Sequence, residues 1–288
     1  MKLRFSFLLV PLLALGLVAG CASDSSDSES SGSAQTASID DCQKGDITTY
    51  KDGVLTVGTD SPAYPPYFED NDPSNGKGFE SAVAYAIADR LGFSRSEVEW
   101  TVVPFNSSYA PGPKKFDFDV NQISITPARE KAVSFSIPYY TANQAVLVTE
   151  ESGIGEISGL DELQDLKIGV QVGTTSLDAV EEEIDPSTPP RVYDNSNDVV
   201  QALKQGQVDA VVVDLPTAIY LRDVEVPDSA VAGQFEAPGG DQWGALLAKD
   251  SDLTKCVNAA LESMKDDGTL EEITTRWMSD AASAPELN

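Results

Sequence analysis

Lys167-Ile168-Gly169-Val170-Gln171 runs into Gly173-Thr174-Thr175-Ser176, and the reading of that junction decides the architecture. The first five residues read as a strand, the glycine and hydroxyl residues as a tight turn, and Leu177 to Ile184 as the helix that follows. Arg191-Val192-Tyr193 supplies a short strand. Asn197 to Lys204 is a helix with Val199, Val200, Ala202 and Leu203 apolar, and Gly206 breaks it. Asp209-Ala210-Val211-Val212-Val213 is an apolar run of the kind that a parallel sheet buries on both faces. The same order stands upstream. Val54-Leu55-Thr56-Val57-Gly58 reads as a strand, followed by a loop rich in Pro and Asp from Thr59 to Lys77. Phe79 to Leu91 is an amphipathic helix with Phe79, Val83, Ile87 and Leu91 on one face, closed by Gly92, and Glu99 to Val103 is the next strand. Strand, helix, strand implies a right-handed parallel unit, and two such blocks imply two α/β lobes. Gly244 to Ala248 is a further strand. Leu253 to Met264 and Leu270 to Met278 are closing helices, separated by Asp266-Asp267-Gly268.

Before this folded region the chain changes character. Lys2 and Arg4 precede an apolar run from Phe5 to Val18, broken only by Ser6, Pro11 and Gly16, which is too short for a comfortable membrane span. That pattern is expected for a signal peptide over residues 1–20. It ends in Leu17-Val18-Ala19-Gly20-Cys21, which resembles the bacterial lipobox, where the cysteine is lipidated and becomes the first mature residue. An ordinary cleaved signal with an incidental cysteine is the alternative. The Ser- and Asp-rich residues after Cys21 have almost nothing to bury and cannot offset the entropy of ordering. Residues 21–40 are therefore expected to be a flexible tether, with more than one lipid chain needed for lasting attachment.

Charge and composition exclude several classes of function. The chain carries 47 acidic and 19 basic residues, a formal charge of −28, so nucleic-acid phosphates would be repelled. Electrostatic adsorption to anionic lipid is disfavoured for the same reason. There is no histidine, which rules out Ser-His-Asp and Cys-His catalysis and removes the commonest metal ligand. Beyond Cys21 there are two cysteines, Cys42 and Cys256. Outside the cell an even pair is expected to form a disulfide, with two free thiols as the alternative. No metal and no cofactor is expected.

A cleft between two α/β lobes is where small ligands bind, at strand ends and helix starts. Arg129 lies in Ser124-Ile125-Thr126-Pro127-Ala128-Arg129-Glu130, and its planar fork suits a bidentate grip on a carboxylate; a solvated surface arginine is the bland reading. The turn at Thr174-Thr175 offers backbone N–H groups to an anion, or is a plain helix cap. Asp214 ends the strand from Asp209 and either accepts an ammonium or caps the helix beginning at Leu215-Pro216. Together the three match the two ends of a zwitterionic amino acid. Tyr64, Tyr67 and Phe68 could wall the ligand's side chain, although core packing is the better account of Phe68.

Taken with their order and spacing, several stretches closely resemble the bacterial extracellular solute-binding protein family 3, the amino-acid receptors of ABC importers. They are Gly58-Thr59-Asp60 with Tyr64-Pro65-Pro66, Gly78-Phe79-Glu80, Ser124-Ile125-Thr126-Pro127 with Arg129, and Phe135-Ser136 with Pro138-Tyr139-Tyr140. Gly169-Val170-Gln171 with Gly173-Thr174-Thr175, Val208 to Asp214, and Asp267-Gly268-Thr269-Leu270 complete the series. The resemblance implies a two-lobed periplasmic-binding-protein-like α/β fold with two hinge crossings and the ligand cleft between the lobes. It places lobe 1 at 41–141, lobe 2 at 142–240 and a return to lobe 1 over 241–288, so that both paired cysteines fall in lobe 1. It also implies roles. Arg129 holds the α-carboxylate with backbone help at Thr174 and Thr175, Asp214 holds the ammonium, and Ser124, Gln122, Asn121 and Asp60 belong to the same set, with Tyr64 as an aromatic lid. Many relatives carry small residues where Asn121 and Gln122 stand, and the stretch from Phe105 to Pro113 departs from their usual helical start. The extra amides point to a polar ligand side chain.

The implied protein is a non-enzymatic, monomeric lipoprotein on the outer face of the cell membrane. It passes its amino acid to the transmembrane subunits of a permease. The alternatives are an exported dehydratase of the cyclohexadienyl or arogenate type on the same fold, for which Glu80 is the nearest acid, and a sensory ligand-binding lobe.

Overall fold

The computed structural model describes residues 37–154, 157–278 and 284–287. The expected signal peptide, Cys21 and most of the tether lie outside the described residues. Among the described residues twelve strands run in chain order: β1 Leu55–Thr59, β2 Val98–Val102, β3 Phe118–Asp119, β4 Val133–Phe135, β5 Tyr140–Ala142, β6 Gln144–Thr149, β7 Ile168–Gln171, β8 Arg191–Tyr193, β9 Ala210–Asp214, β10 Ser229–Phe235, β11 Asp241–Trp243 and β12 Leu246–Ala248. The helices are α1 Phe79–Arg90, α2 Phe105–Ser108, α3 Thr175–Ala179, α4 Ser196–Lys204, α5 Leu215–Tyr220, α6 Leu253–Asp266 and α7 Thr269–Met278, with α3 and α5 each widening into a π-turn at its C-terminal end.

The strands sort into two five-stranded sheets and a two-stranded ribbon. The first sheet has the order β2-β1-β3-β12-β4 and the second β10-β6-β9-β7-β8. β1 pairs in parallel with β2 and β3, and β7 in parallel with β8 and β9, the arrangement expected of two strand–helix–strand blocks. Antiparallel strands β12 and β6 complete the two sheets. The ribbon is β5 against β11, with Asp241 opposite Ala142 and Trp243 opposite Tyr140. The chain thus leaves the first sheet through β5 and returns through β11, and these are the two hinge crossings of a two-lobed α/β protein.

Burial follows the sequence pattern and in one place exceeds it. Phe79, Val83, Ile87 and Leu91 are all fully buried, as the helical spacing requires. Glu80, Ser81, Ala84 and Ala88 are buried too, because α6 and α7 pack over the face that a simple two-layer fold would leave wet. The alanines permit that close approach. The second sheet has its own cores, with Val146, Ile168 and Val212 on one face and Leu147, Val199 and Val211 on the other. Cys42 and Cys256 are bonded, joining the short 3-10 turn Ile39–Cys42 to α6, and both are buried.

Three expectations are corrected. The tether does not run to residue 40. Ala37 and Ile39 pack on the first core, and Ser38 caps the turn that leads to Cys42. Residues 105–108 form a single helical turn, α2, with Ser108 Oγ donating back to the Phe105 carbonyl at 2.7 Å. The C-terminus does not stay with the first lobe. The Gln234 N–H donates to the Pro285 carbonyl, the Leu287 N–H donates to the Gln234 carbonyl, and the buried Leu287 sits over Gly233, where any Cβ would strike it. An apolar residue two positions after a proline carries no packing signal of its own, so the bare strand edge at Gly233 decides the placement.

Candidate functional site

A cavity opens between the sheets, and both contribute to its walls. Of the residues expected at the ligand, Asp60, Tyr64, Asn121, Gln122, Ser124, Thr174, Thr175 and Asp214 line it. Arg129 does not. Its side chain lies just behind, 8% exposed, between the rings of Phe105 and Tyr109 at 5.5 and 4.9 Å. Nη1 donates to the Ser124 carbonyl at 2.7 Å and Nη2 to the Gly173 carbonyl at 2.9 Å, so one guanidinium bridges the two lobes. A guanidinium has five N–H donors, and these two bonds leave capacity for an anion. Burial pulls its pKa down, opposed by Tyr109, Asp241, Asp178 and Asp214.

The turn at β7–α3 is built for close approach. Gly173 has φ 72°, and a Cβ there would stand 2.5 Å from the Tyr109 hydroxyl, so only glycine fits. Thr174 is the helix cap: its hydroxyl accepts from the Leu177 N–H at 3.2 Å and donates to the Gln171 carbonyl at 2.8 Å. The cap reading is therefore right for the Thr174 side chain. Thr175 does something else, donating to Asp241 Oδ2 at 3.0 Å and lying 3.2 Å from Ser124 Oγ across the cleft. Asp214 stands at the cap position of α5 without making a side-chain cap bond. Its carboxylate instead accepts from Gln144 Nε2 at 2.7 Å. Burial, and next the neighbouring charge of Asp241, push this carboxyl well above the usual range.

The aromatic residues divide as their surroundings dictate. The Tyr64 hydroxyl donates to Asn197 on α4, and its ring lies 6.0 Å from that of Tyr220, so it spans the cleft mouth. Tyr67 is buried with its hydroxyl 2.8 Å from Thr217 Oγ1. Phe68 is core, edge-on to Trp100 at 5.7 Å. Asp60 accepts from the backbone N–H groups of Ser61 and Phe105 at 2.7 and 3.0 Å and so holds two loops together at the rim.

Behind Asn121 and Gln122 lies a buried acid. Gln122 has φ 48°, and both its N–H, at 2.7 Å, and its side-chain amide donate to Glu80, while the Tyr139 hydroxyl donates to the same carboxyl at 2.5 Å. Burial raises Glu80 to about 7, against the three donors, which lower it. The folded state thus holds this proton harder than the unfolded chain does. The stabilisation is complete below pH 4.5 and is lost as pH rises through about 7. Glu80→Gln is expected to cost about 1–3 kcal/mol at pH 5 through one mismatched donor, with a smaller deficit at pH 8. Urea unfolding of both proteins at the two pH values measures it, and an equal deficit at each would disprove the assignment.

Sequence reasoning missed four cavity or near-cavity residues. Gln144 and Asp241 open β6 and β11, at the crossings, where no motif marks them. Asn197 is an ordinary first-turn helix residue. Glu225, an acid not located from the sequence, lines the cavity beyond α5 and is paired with Lys204 at 3.1 Å. Among the described residues no cluster of acidic and cysteine side chains could hold a metal ion.

Comparison with known proteins agrees with this architecture. The model of the bacterial extracellular solute-binding proteins, family 3, matches residues 55–280. The L-cystine-binding protein TcyJ of Escherichia coli (strain K12) is 31% identical over 228 residues, covering 78% of this chain and 82% of its own. The ABC transporter glutamine-binding protein GlnH of Bacillus subtilis (strain 168) is 30% identical over 287 residues, covering 96% of this chain and 98% of its own. A solved ancestral arginine-binding protein bound to glutamine superposes with a TM-score of 0.67 at 35% identity, over 78% of this chain and 98% of that one.

Proposed function

Because the chain belongs to the bacterial extracellular solute-binding proteins, family 3, we propose that it captures an amino acid between its lobes and delivers it to the permease of an ABC importer. One observation carries the reading: the cleft sets an anion grip beside a cation acceptor. Arg129 and the N-terminus of α3 stand at one end, and Asp214, two residues from Val212 in the same strand, stands at the other. Each end of a zwitterion meets its complement, and a charge-assisted hydrogen bond is about twice as strong as a neutral one. The ligand's side chain points toward Tyr64, Asn121 and Asn197. Asn121 Nδ2 is buried without an acceptor, which favours a ligand with a polar side chain.

The protein works as a receptor and not as a dehydratase. Glu80, the acid that an enzyme would need in the cleft, is turned away onto Gln122 and Tyr139, and the relatives named above are transport proteins. Lobe 1 comprises 41–141 and 241–278, and lobe 2 comprises 142–240 with the tail 284–287. The receptor is a monomer held to the outer face of the membrane by lipid on Cys21 after removal of residues 1–20. No helix among the described residues is long and apolar enough to cross a membrane.

A thermal-shift screen against all amino acids and cystine tests the reading. A ligand at 100 times its Kd adds about 2.7 kcal/mol to stability, enough to raise Tm by a few degrees for a protein of this size. The largest shift is expected from a polar side chain. No shift with any of them would sink the receptor reading.

A further inference from the structure

A chain of hydrogen bonds crosses the floor of the cleft and ends on two carboxylates. Ser124 Oγ is 3.2 Å from Thr175 Oγ1, and Thr175 donates to Asp241 Oδ2 at 3.0 Å. Gln144 Nε2 donates to Asp241 Oδ2 at 2.6 Å and to Asp214 Oδ1 at 2.7 Å. One amide nitrogen has two hydrogens, so each acid receives one from Gln144 and both acids keep lone pairs unmet. Asp241 is 1% exposed, and its Oδ1 is buried without a partner. Asp214 lines the cavity. Two buried carboxylates on one amide cannot both ionise at low cost unless a cation or a proton joins them.

The other groups around the pair do not supply that cation. Arg129 faces it from the first lobe, yet burial and the charge of Asp241 act on Asp214 more strongly than it does. Its guanidinium is also shared with Tyr109 and Asp178. Tyr67, from the loop before α1, and Tyr140, on β5, feel the charge of Asp214 and remain neutral, raised by burial and by that charge. Thr175 on α3 and Gln144 on β6 contribute only dipoles.

We propose that Asp241 is a second acid of the ammonium subsite, and that the ligand's cationic group takes the place of one proton that Asp214 and Asp241 otherwise share. The proposal rests on the amino-acid reading of the cleft. The exchange is balanced: an O–H bond of the shared acid breaks, the proton passes to solvent, and the ammonium enters with an equal charge. Burial and the Asp241 charge hold the Asp214 carboxyl high, in keeping with a proton retained on the pair. Asp241 also opens the returning hinge strand β11, so the cation is gripped at the pivot between lobes as well as on lobe 2.

Calorimetry at pH 6 in two buffers of unlike ionisation enthalpy counts protons exchanged on binding. The probe is the free amino acid, or cystine, that gives the largest thermal shift. Release of about one proton per ligand is expected from the wild type, with affinity falling about tenfold per pH unit of acidification below the pair's apparent value. Asp241→Asn removes the neighbouring charge and leaves Asp214 as a single buried acid, and should bind with clearly less proton release than the wild type; Asp241→Glu should restore it. Wild-type binding without proton release overturns the proposal and leaves the receptor reading standing, and this needs no variant to fold. Equal release from Asp241→Asn overturns it as well. If no amino acid binds, both fall together.

Discussion

Arg129→Ala is expected to weaken amino-acid capture by roughly 30- to 5,000-fold, the equivalent of about 2–5 kcal/mol for removing one partner of a buried charge pair. The size of the effect has two sources. On the proposed reading the ligand's carboxylate loses its fork, and the lobes lose a bridge, since the same guanidinium donates to the Ser124 and Gly173 carbonyls on opposite walls. Arg129→Lys separates them. Lysine keeps the charge but is a point donor, unable to serve two carbonyls and an anion together, so it too should lose most of the affinity. Titration calorimetry with the ligand found by thermal shift reads both variants. An alanine variant that binds like the wild type would remove Arg129 from the site.

The second large effect concerns stability. Cys42 and Cys256 are 214 residues apart in sequence, and the bond between them closes nearly the whole folded chain into one loop. The chain-entropy account assigns a loop of that length about 5 kcal/mol, and measured losses on removing native disulfides are about 2–5 kcal/mol. Replacing both cysteines by serine should lower the urea midpoint accordingly and shift Tm by several degrees. Ligand affinity should change little, because the bond ties the 3-10 turn Ile39–Cys42 to α6, away from the cleft. Alkylation of unreduced, denatured protein should label neither thiol. Labelling of both would contradict the bond.

The sequence was most readable where one local rule settled the outcome. The spacing of Phe79, Val83, Ile87 and Leu91 dictates a helix whatever surrounds it, and the run from Asp209 to Val213 dictates a buried strand. Asp214 was readable as a cleft residue because strand ends face clefts. Its choice between capping α5 and facing the cleft was not, since that depends on Gln144, 70 positions away. Asp241 and Gln144 carry no local signal at all. Each becomes significant only when β6 and β11 are brought side by side by the crossing of the chain. The amides of Asn121 and Gln122 were visible, but their division of labour was not: Gln122 is committed to Glu80, and Asn121 keeps a buried donor unmatched. The burial of α1 on more than its apolar stripe arises from α6 and α7, nearly two hundred residues further on.

The tail that ends on Gly233 changes the mechanics of opening. Two-lobed receptors flex on their crossing strands. Here the chain also runs from Met278, in the core of the first lobe, to Ala284 and on to Leu287, seated on the second. Six residue steps separate Met278 from Ala284, a reach of about 20 Å when fully stretched. Any wider gape must therefore first unzip Leu287 from the edge of β10.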